Sequence, residues 1–425
     1  MKESFIKYLW QYQQFNKANL TTESGEKLEI FSVGIPNQYS GADFLDAKIK
    51  INDVEWFGNI EIHVKSSDWE KHSHQQDKTY NNVVLHVVWE HDKTIFRENG
   101  MLLPTLALCK RTSPLVVEQY FNLIETAAEI PCQAQLSKVK QTIKVSMLQT
   151  ALKNRLERKK STIKELFEKS EKNWEETTYQ LLAQNLGFKI NSEPMLLLAK
   201  AIPLKVLQKH RDNLLSIEAL LFGTSGLLHE TETDTYAKNL WKEYKFLSKK
   251  YQISITHLAA MWKFSPTRPA NFPTIRIAQL AMLIFREESF FSRFLFAETV
   301  EEVISMLQVK QSAYWQTHYK FGQESSEKIA GLGRESVENI LINTVVPLLV
   351  SYSEYRSEEQ FYKKALEWLT LLKPEKNSIT DKWKVSQMPL RTAFESQGAI
   401  ELYHQFCQQK KCLHCEIGIS LLQAN

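Results

Sequence analysis

Glu61-Ile62-His63-Val64-Lys65 sets an acid, an imidazole and an ammonium at every second position. In an extended chain successive side chains point to opposite sides, so these three share one face. Such a trio is ill suited to an apolar core; its face is either solvated or a site. Upstream stand Asp43, in Gly41-Ala42-Asp43-Phe44, and Asp46. Acids on two neighbouring strands, with a cation further along, meet the demands of metal-assisted phosphodiester cleavage. Carboxylate oxygens hold Mg²⁺, which polarises a phosphoryl oxygen and acidifies an attacking water, while Lys or His offsets charge or positions that water. The candidate catalytic residues are therefore Asp43, Glu61, His63 and Lys65, with Asp43, Asp46 and Glu61 as candidate metal ligands. His72, His74 and Asp77 follow, and with His63 and His86 they could build a transition-metal site of imidazoles and carboxylates. No pair among them has a zinc spacing. His86, alone in the apolar run 83–89, reads first as a hydrogen-bonded core residue.

A second constellation is His404-x2-Cys407-x4-Cys412-x2-Cys415. Its C-x2-C lets two thiolates approach one Zn²⁺, with Cys407 and an imidazole from His404 or His414 completing four ligands. Lys410 and Lys411 would favour the thiolate forms. Three thiolates with one further ligand could instead hold an iron–sulfur cluster, and a reduced, buried cysteine cluster would show the same letters. Cys109 and Cys132 carry no message by spacing.

Elements must position these residues. Phe5, Ile6, Leu9 and Trp10 recur at helical spacing in 3–16. Strand-like runs follow at 27–33, 43–51, 54–65 and 82–90, with one or two more within 94–109, and the polar stretch 68–81 holds a helix. A two-residue turn at Asn52-Asp53 pairs Phe44 with Glu61. That register puts Asp46 on the face of Glu61 and Asp43 with Leu45, Ala47 and Ile49. Asp43 joins Glu61 only through a bulge; otherwise Asp46 takes its place.

From about 140 the texture becomes helical, with periodic segments at 142–170, 173–186, 193–210, 234–250, 254–263, 274–286, 297–310, 334–350 and 357–372, broken by Gly and Pro. The expectation is an α/β module over 1–135 (helix, strand meander, helix, strand), then an all-helical domain over 136–425 ending in the Cys-rich segment. Three helical-domain features could meet nucleic acid. Lys153, Arg155, Arg158, Lys159 and Lys160 crowd one helix. Ile329 to Ile340 loosely follows a helix-hairpin-helix turn, and the loops Trp262-Lys263-Phe264 and 268–276 mix aromatic and basic groups. A solvated helix face and loop caps explain the same letters.

The 425 residues exceed one typical core, 43% hydrophobic and 24% charged residues exclude a disordered chain, and the net charge of +4 permits a polyanionic partner without requiring one. No apolar run reaches the roughly 18 residues of a membrane helix, and Met1 to Lys7 lacks the apolar core of a signal peptide. Five cysteines, three of them close together near the C-terminus, read as reduced thiols or metal ligands and not as a disulfide scaffold, so a cytoplasmic protein without a membrane partner is expected.

The chain resembles the uncharacterised bacterial DUF2851 family, on 58–69 (Gly-Asn-Ile-Glu-Ile-His-Val-Lys-Ser-Ser-Asp-Trp) and 80–88 (Tyr-Asn-Asn-Val-Val-Leu-His-Val-Val). Its first 110 residues also resemble the PD-(D/E)xK nucleases. In that pattern an Asp opens the second strand, matched by Asp43, and an acid-x-Lys follows on the third, matched by Glu61. His63 stands where the pattern has Lys, and Lys65 lies one same-face step further. The resemblance implies a Mg-dependent nuclease acting on DNA or RNA. A non-catalytic scaffold that keeps the fold and binds nucleic acid or protein is the alternative.

Overall fold

The computed structural model describes all residues except 38, 232–233, 255–257 and 424–425. The chain forms two compact units. The first comprises 1–148 with 382–389 and 401–425; the second comprises 149–381 with 390–400. The sequence reading assigned the Cys-bearing segment to the helical domain, whereas residues 401–425 pack within the first unit.

The first unit opens with helix α1 (Glu3–Gln11), followed by strands β1 (Leu28–Ser32), β2 (Ile35–Pro36), β3 (Phe44–Ile51) and β4 (Val54–Lys65). Helix α2 (Asp68–Lys71) and two 3₁₀ turns lead to β5 (Val83–Glu90), β6 (Thr105–Ala107) and α3 (Pro114–Glu125). The sheet runs β1-β3-β4-β5-β6, with β2 also on β3. β1, β3 and β4 form an antiparallel meander, while β4, β5 and β6 are parallel. Parallel neighbours require a crossover, and the 66–82 stretch supplies it. That stretch carries His72 and His74, so the crossover lays its imidazoles over the strands it connects.

Helices cover both faces of the sheet. Trp69 of α2 rests 5.4 Å from the ring of His86, and Phe5 of α1 lies 6.3 Å from Trp89. His86 and Trp89 differ by an odd number of positions and so point to opposite faces. Burial on both faces explains why β5 reads as an unbroken apolar run. Gly58 sits where β4 passes the start of β5: a Cβ there would lie 2.5 Å from the Asn82 carbonyl oxygen and from Val84 Cγ1.

In the second unit, helices at Trp174–Leu186, Leu214–Ser225, Pro273–Arg286 and Val346–Arg356 contribute Tyr179, Leu220, Ile277 and Leu349 to one continuous apolar core. The helix expected over 254–263 is represented by a 3₁₀ turn at Ala259–Met261; residues 255–257 lie outside the described ones.

Candidate functional site

A bulge decides which acids meet. From Ile51 opposite Val54, β3 and β4 run in plain register to Ala47 opposite Gly58; beyond that, Phe44 lies opposite Ile60. Leu45 and Asp46 together thus face Asn59, with Asp46 in the left-handed region at φ 57°. A one-residue slip moves every later side chain to the other face. Asp43 therefore arrives beside Glu61, and its amide donates to Glu61 Oε2 at 3.1 Å. Asp46, the rival in plain register, has an exposed side chain, and its amide turns to Asn59 Oδ1 at 3.4 Å.

Both carboxyls are largely withdrawn from water. Desolvation raises Asp43 above the usual carboxylate range, opposed by the Lys7 ammonium 2.5 Å from its Oδ1 and by the Ile62 amide. Glu61 is raised by burial and by the neighbouring Asp43 charge, while His74 opposes the shift. Two such carboxyls repel one another, and the Lys7 ammonium offsets the Asp43 charge.

Imidazoles complete the cluster. His63, on the same strand face as Glu61, is 1% exposed, and its Nε2 lies 3.6 Å from Glu61 Oε1 and 3.1 Å from His72 Nδ1. His74 Nε2 lies 3.4 Å from the same Glu61 oxygen. Ligand atoms of His63, His72 and His74 all lie within 4.8 Å of one another. On its far side, His63 Nδ1 is 2.9 Å from Nε2 of the fully buried His86. Tyr80 stacks on His74 at 3.7 Å and fixes that ring. Burial, then the neighbouring imidazoles, push His63 down to about 3, and burial holds His86 well below its ordinary value. Both rings stay neutral at physiological pH, the form in which histidine binds metal. Asp77 is turned away, its carboxylate accepting from the Thr79 amide and hydroxyl.

The cation beside the acids is Lys7, not Lys65. Four residues of strand set Lys65 roughly 13 Å along from Glu61, half-exposed and 4.0 Å from Glu90. Sequence periodicity showed the shared face but not the distance. Lys7 comes from a helix some 36 residues before Asp43, and its letter carries no signal of that approach.

At the other end of the chain, Cys407, Cys412 and Cys415 gather without His404 or His414. Both imidazoles are exposed, and His404 Nδ1 is engaged with Gln408 at 2.7 Å. Cys132, which had no message by spacing, joins them. The thiolate-favouring effect expected of the lysines is present from Lys410 at Cys412 but outweighed by burial. Lys410 Nζ is spent on the carbonyls of Ile124 and Thr126 at 2.6 and 3.0 Å, and burial pushes Cys412 and Cys415 up to about 11.

In the second unit several of the basic and aromatic letters are used internally, while Lys153, Lys263 and Arg268 are exposed. Lys160 pairs with Glu157 and Glu354, and Arg155 bonds Asn343. Trp262 is buried and donates to the Ser225 carbonyl; buried Arg276 bonds Asn271 and Gln279. In the glycine-rich turn, the Leu332 amide is taken by the Val309 carbonyl, and Arg334 pairs with Glu301 and Glu338.

No helix of the described residues is long and apolar enough to cross a membrane. No curated protein and no solved structure matches the chain. A family described as "Protein of unknown function (DUF2851)" matches residues 3–378, most of the chain, including every residue of the Glu61 cluster, and the chain belongs to that family.

Proposed function

We propose that the first unit is a metal-dependent phosphodiesterase acting on nucleic acid, with its ion held by Glu61, His63, His72 and His74. The observation that carries the reading is the convergence of three imidazole ligand atoms within 4.8 Å beside the buried Glu61 carboxylate. Three imidazoles and a carboxylate suit zinc, manganese or iron better than Mg²⁺, which prefers oxygen and water. The ion expected from the carboxylates alone is therefore replaced by a transition metal.

Such an ion, when bound, supplies an acidified water and offsets charge on a phosphoryl oxygen. The residues do the rest. Nε2 of His63 faces Glu61 and His72, so as a ligand it leaves the proton on Nδ1, which donates to His86 Nε2. That bond orients the ring as metal-site outer partners do. Asp43, paired with Lys7 beside Glu61, would accept the water's proton, and Lys7 would take the charge-offsetting role proposed for Lys65. Tyr80, its hydroxyl pushed up to about 12 by burial and by Glu61, stays protonated and can donate.

Support for a nucleic-acid substrate comes from the same sheet face. Phe57 shares the parity of Glu61, and Lys48 lies opposite it. The Lys48 ammonium, paired with Glu55 at 3.0 Å, sits 5.0 Å from the Phe57 ring and 5.2 Å from Phe31, both rings more than half exposed. Exposed rings with an interleaved cation stack bases.

The test is cleavage of bis(p-nitrophenyl) phosphate and single-stranded DNA with Mn²⁺, Zn²⁺ or Mg²⁺, alongside elemental analysis. Glu61→Ala and His72→Ala should lose at least about 100-fold in metal affinity or activity. Equal rates in wild type and Glu61→Ala would refute the assignment. Salt-sensitive DNA binding without cleavage under any ion would instead favour the non-catalytic scaffold.

A further inference from the structure

We propose that Cys132, Cys407, Cys412 and Cys415 form a four-thiolate structural zinc site that ties residues 401–425 to the end of the α3 segment. This inference is independent of the Glu61 site and uses none of its residues. The four thiols, with Pro131 and Phe406, line one cavity of about 20 Å³. All four cysteines are buried and none is in a disulfide. That volume is on the scale of a single ion.

The backbone around the thiols has the features of a metal knuckle. Cys412–His414 is a single 3₁₀ turn, with the Cys415 amide returning to the Cys412 carbonyl at 3.3 Å. This brings the two sulfurs of the C-x2-C to one side. Cys415 leads into the helix Glu416–Gln423, and the amides of Ile417 and Gly418 donate to its sulfur. Amide-to-sulfur bonds are the outer contacts that stabilise a metal-bound thiolate. Gly418 is required at this point: a Cβ there would lie 2.2 Å from the Cys412 carbonyl oxygen. Cys407 arrives from the π-helical turn Tyr403–Cys407, and Cys132 from the start of the 3₁₀ turn Gln133–Lys138. The Lys410 bonds to Ile124 and Thr126 hold the intervening loop against the same segment.

Four sulfurs at zinc stand about 3.8 Å apart, given Zn–S bonds of about 2.3 Å in a tetrahedron. Among the described residues, only the three imidazole ligand atoms already lie within 4.8 Å of one another. The thiols are thus looser than a loaded site, and binding an ion would require their side chains to turn toward one another. Binding releases the four thiol protons, and the ion neutralises thiolates that burial alone would leave protonated.

The experiment uses the full chain in a His72→Ala background, which removes a ligand of the other candidate site. Protein purified under reducing conditions and dialysed against a mild chelator should keep one zinc per chain by elemental analysis. Cys132→Ser in that background should lose it, and His404→Ala should keep it. Because Cys132→Ser could fail to fold, the unmutated chain provides a second measurement. Mercurial titration should release one zinc as four thiols react, with Cys109 reacting separately. Cobalt(II) exchanged into the site should show the charge-transfer intensity of four thiolates. Absence of metal in the His72→Ala chain, retention in folded Cys132→Ser, or cobalt spectra of three or fewer sulfurs would overturn the proposal.

Discussion

Replacing His63 with Gln in the metal-stripped protein probes the buried imidazole pair directly. His63 is 1% exposed and its proton affinity is depressed from 6.5 to about 3. A histidine lowered in the folded state stabilises it above the unfolded value of 6.5, and that contribution is lost as pH falls toward 3. Between pH 7 and pH 5 the unfolded chain takes up nearly one proton that the folded chain refuses. At about 1.36 kcal/mol per pH unit, wild type should lose about 2 kcal/mol of stability from this residue. The variant lacks that term, although it forfeits the buried bond to His86, a loss of about 1–3 kcal/mol at neutral pH. Its deficit should therefore shrink by about 2 kcal/mol on going from pH 7 to pH 5. Urea unfolding of both proteins in chelator, followed by tryptophan fluorescence, gives the difference, in which Asp43 and Glu61 largely cancel. A deficit that stays constant across that range would refute the claim that His63 is held neutral.

Asp46→Val forces a β-branched residue into φ 57° and should cost about 1–2 kcal/mol, with a marked loss of metal affinity as Asp43 leaves Glu61. Asp46→Gly should preserve both, and paired urea midpoints and metal titrations will tell. Gly58→Ala drives a methyl to 2.5 Å from the Asn82 carbonyl and should lower stability by more than about 1 kcal/mol, visible as a fall in Tm. Lys7→Met should cut phosphodiester cleavage by at least about tenfold without changing metal content, while Lys65→Met changes the rate far less; equal losses would return the role to Lys65.

How much of this was legible varies with the range of the interaction. The strands at 54–65 and 83–90 were legible because alternation and β-branched runs are local properties. The pairing of Asp43 with Glu61 was not, because it hangs on one left-handed residue whose cost is met by the packing of neighbouring strands. The resemblance to nucleases pointed to Asp43, while simple register pointed to Asp46; the bulge at Asp46 reconciles the two. His72 and His74 were visible as letters, but only a parallel crossover could fold them back over His63. Cys132 was invisible for the same reason: it stands 275 positions from Cys407, and no spacing rule reaches that far. Arg155, Lys160, Trp262 and Arg276 show the converse, each engaged within the second unit. Composition cannot separate a surface that waits for phosphate from one consumed by internal pairs.

The return of residues 401–425 to the first unit has a kinetic consequence during synthesis. A ribosome must add the roughly 250 intervening residues before that segment emerges, about 12–50 s at ~5–20 residues per second. Throughout that interval the surfaces of α1 and α3 that this segment packs against stay uncovered, while the second unit can already be assembling. A nascent-chain holdase would find its binding surface there, on the unclosed flank of the amino-terminal unit.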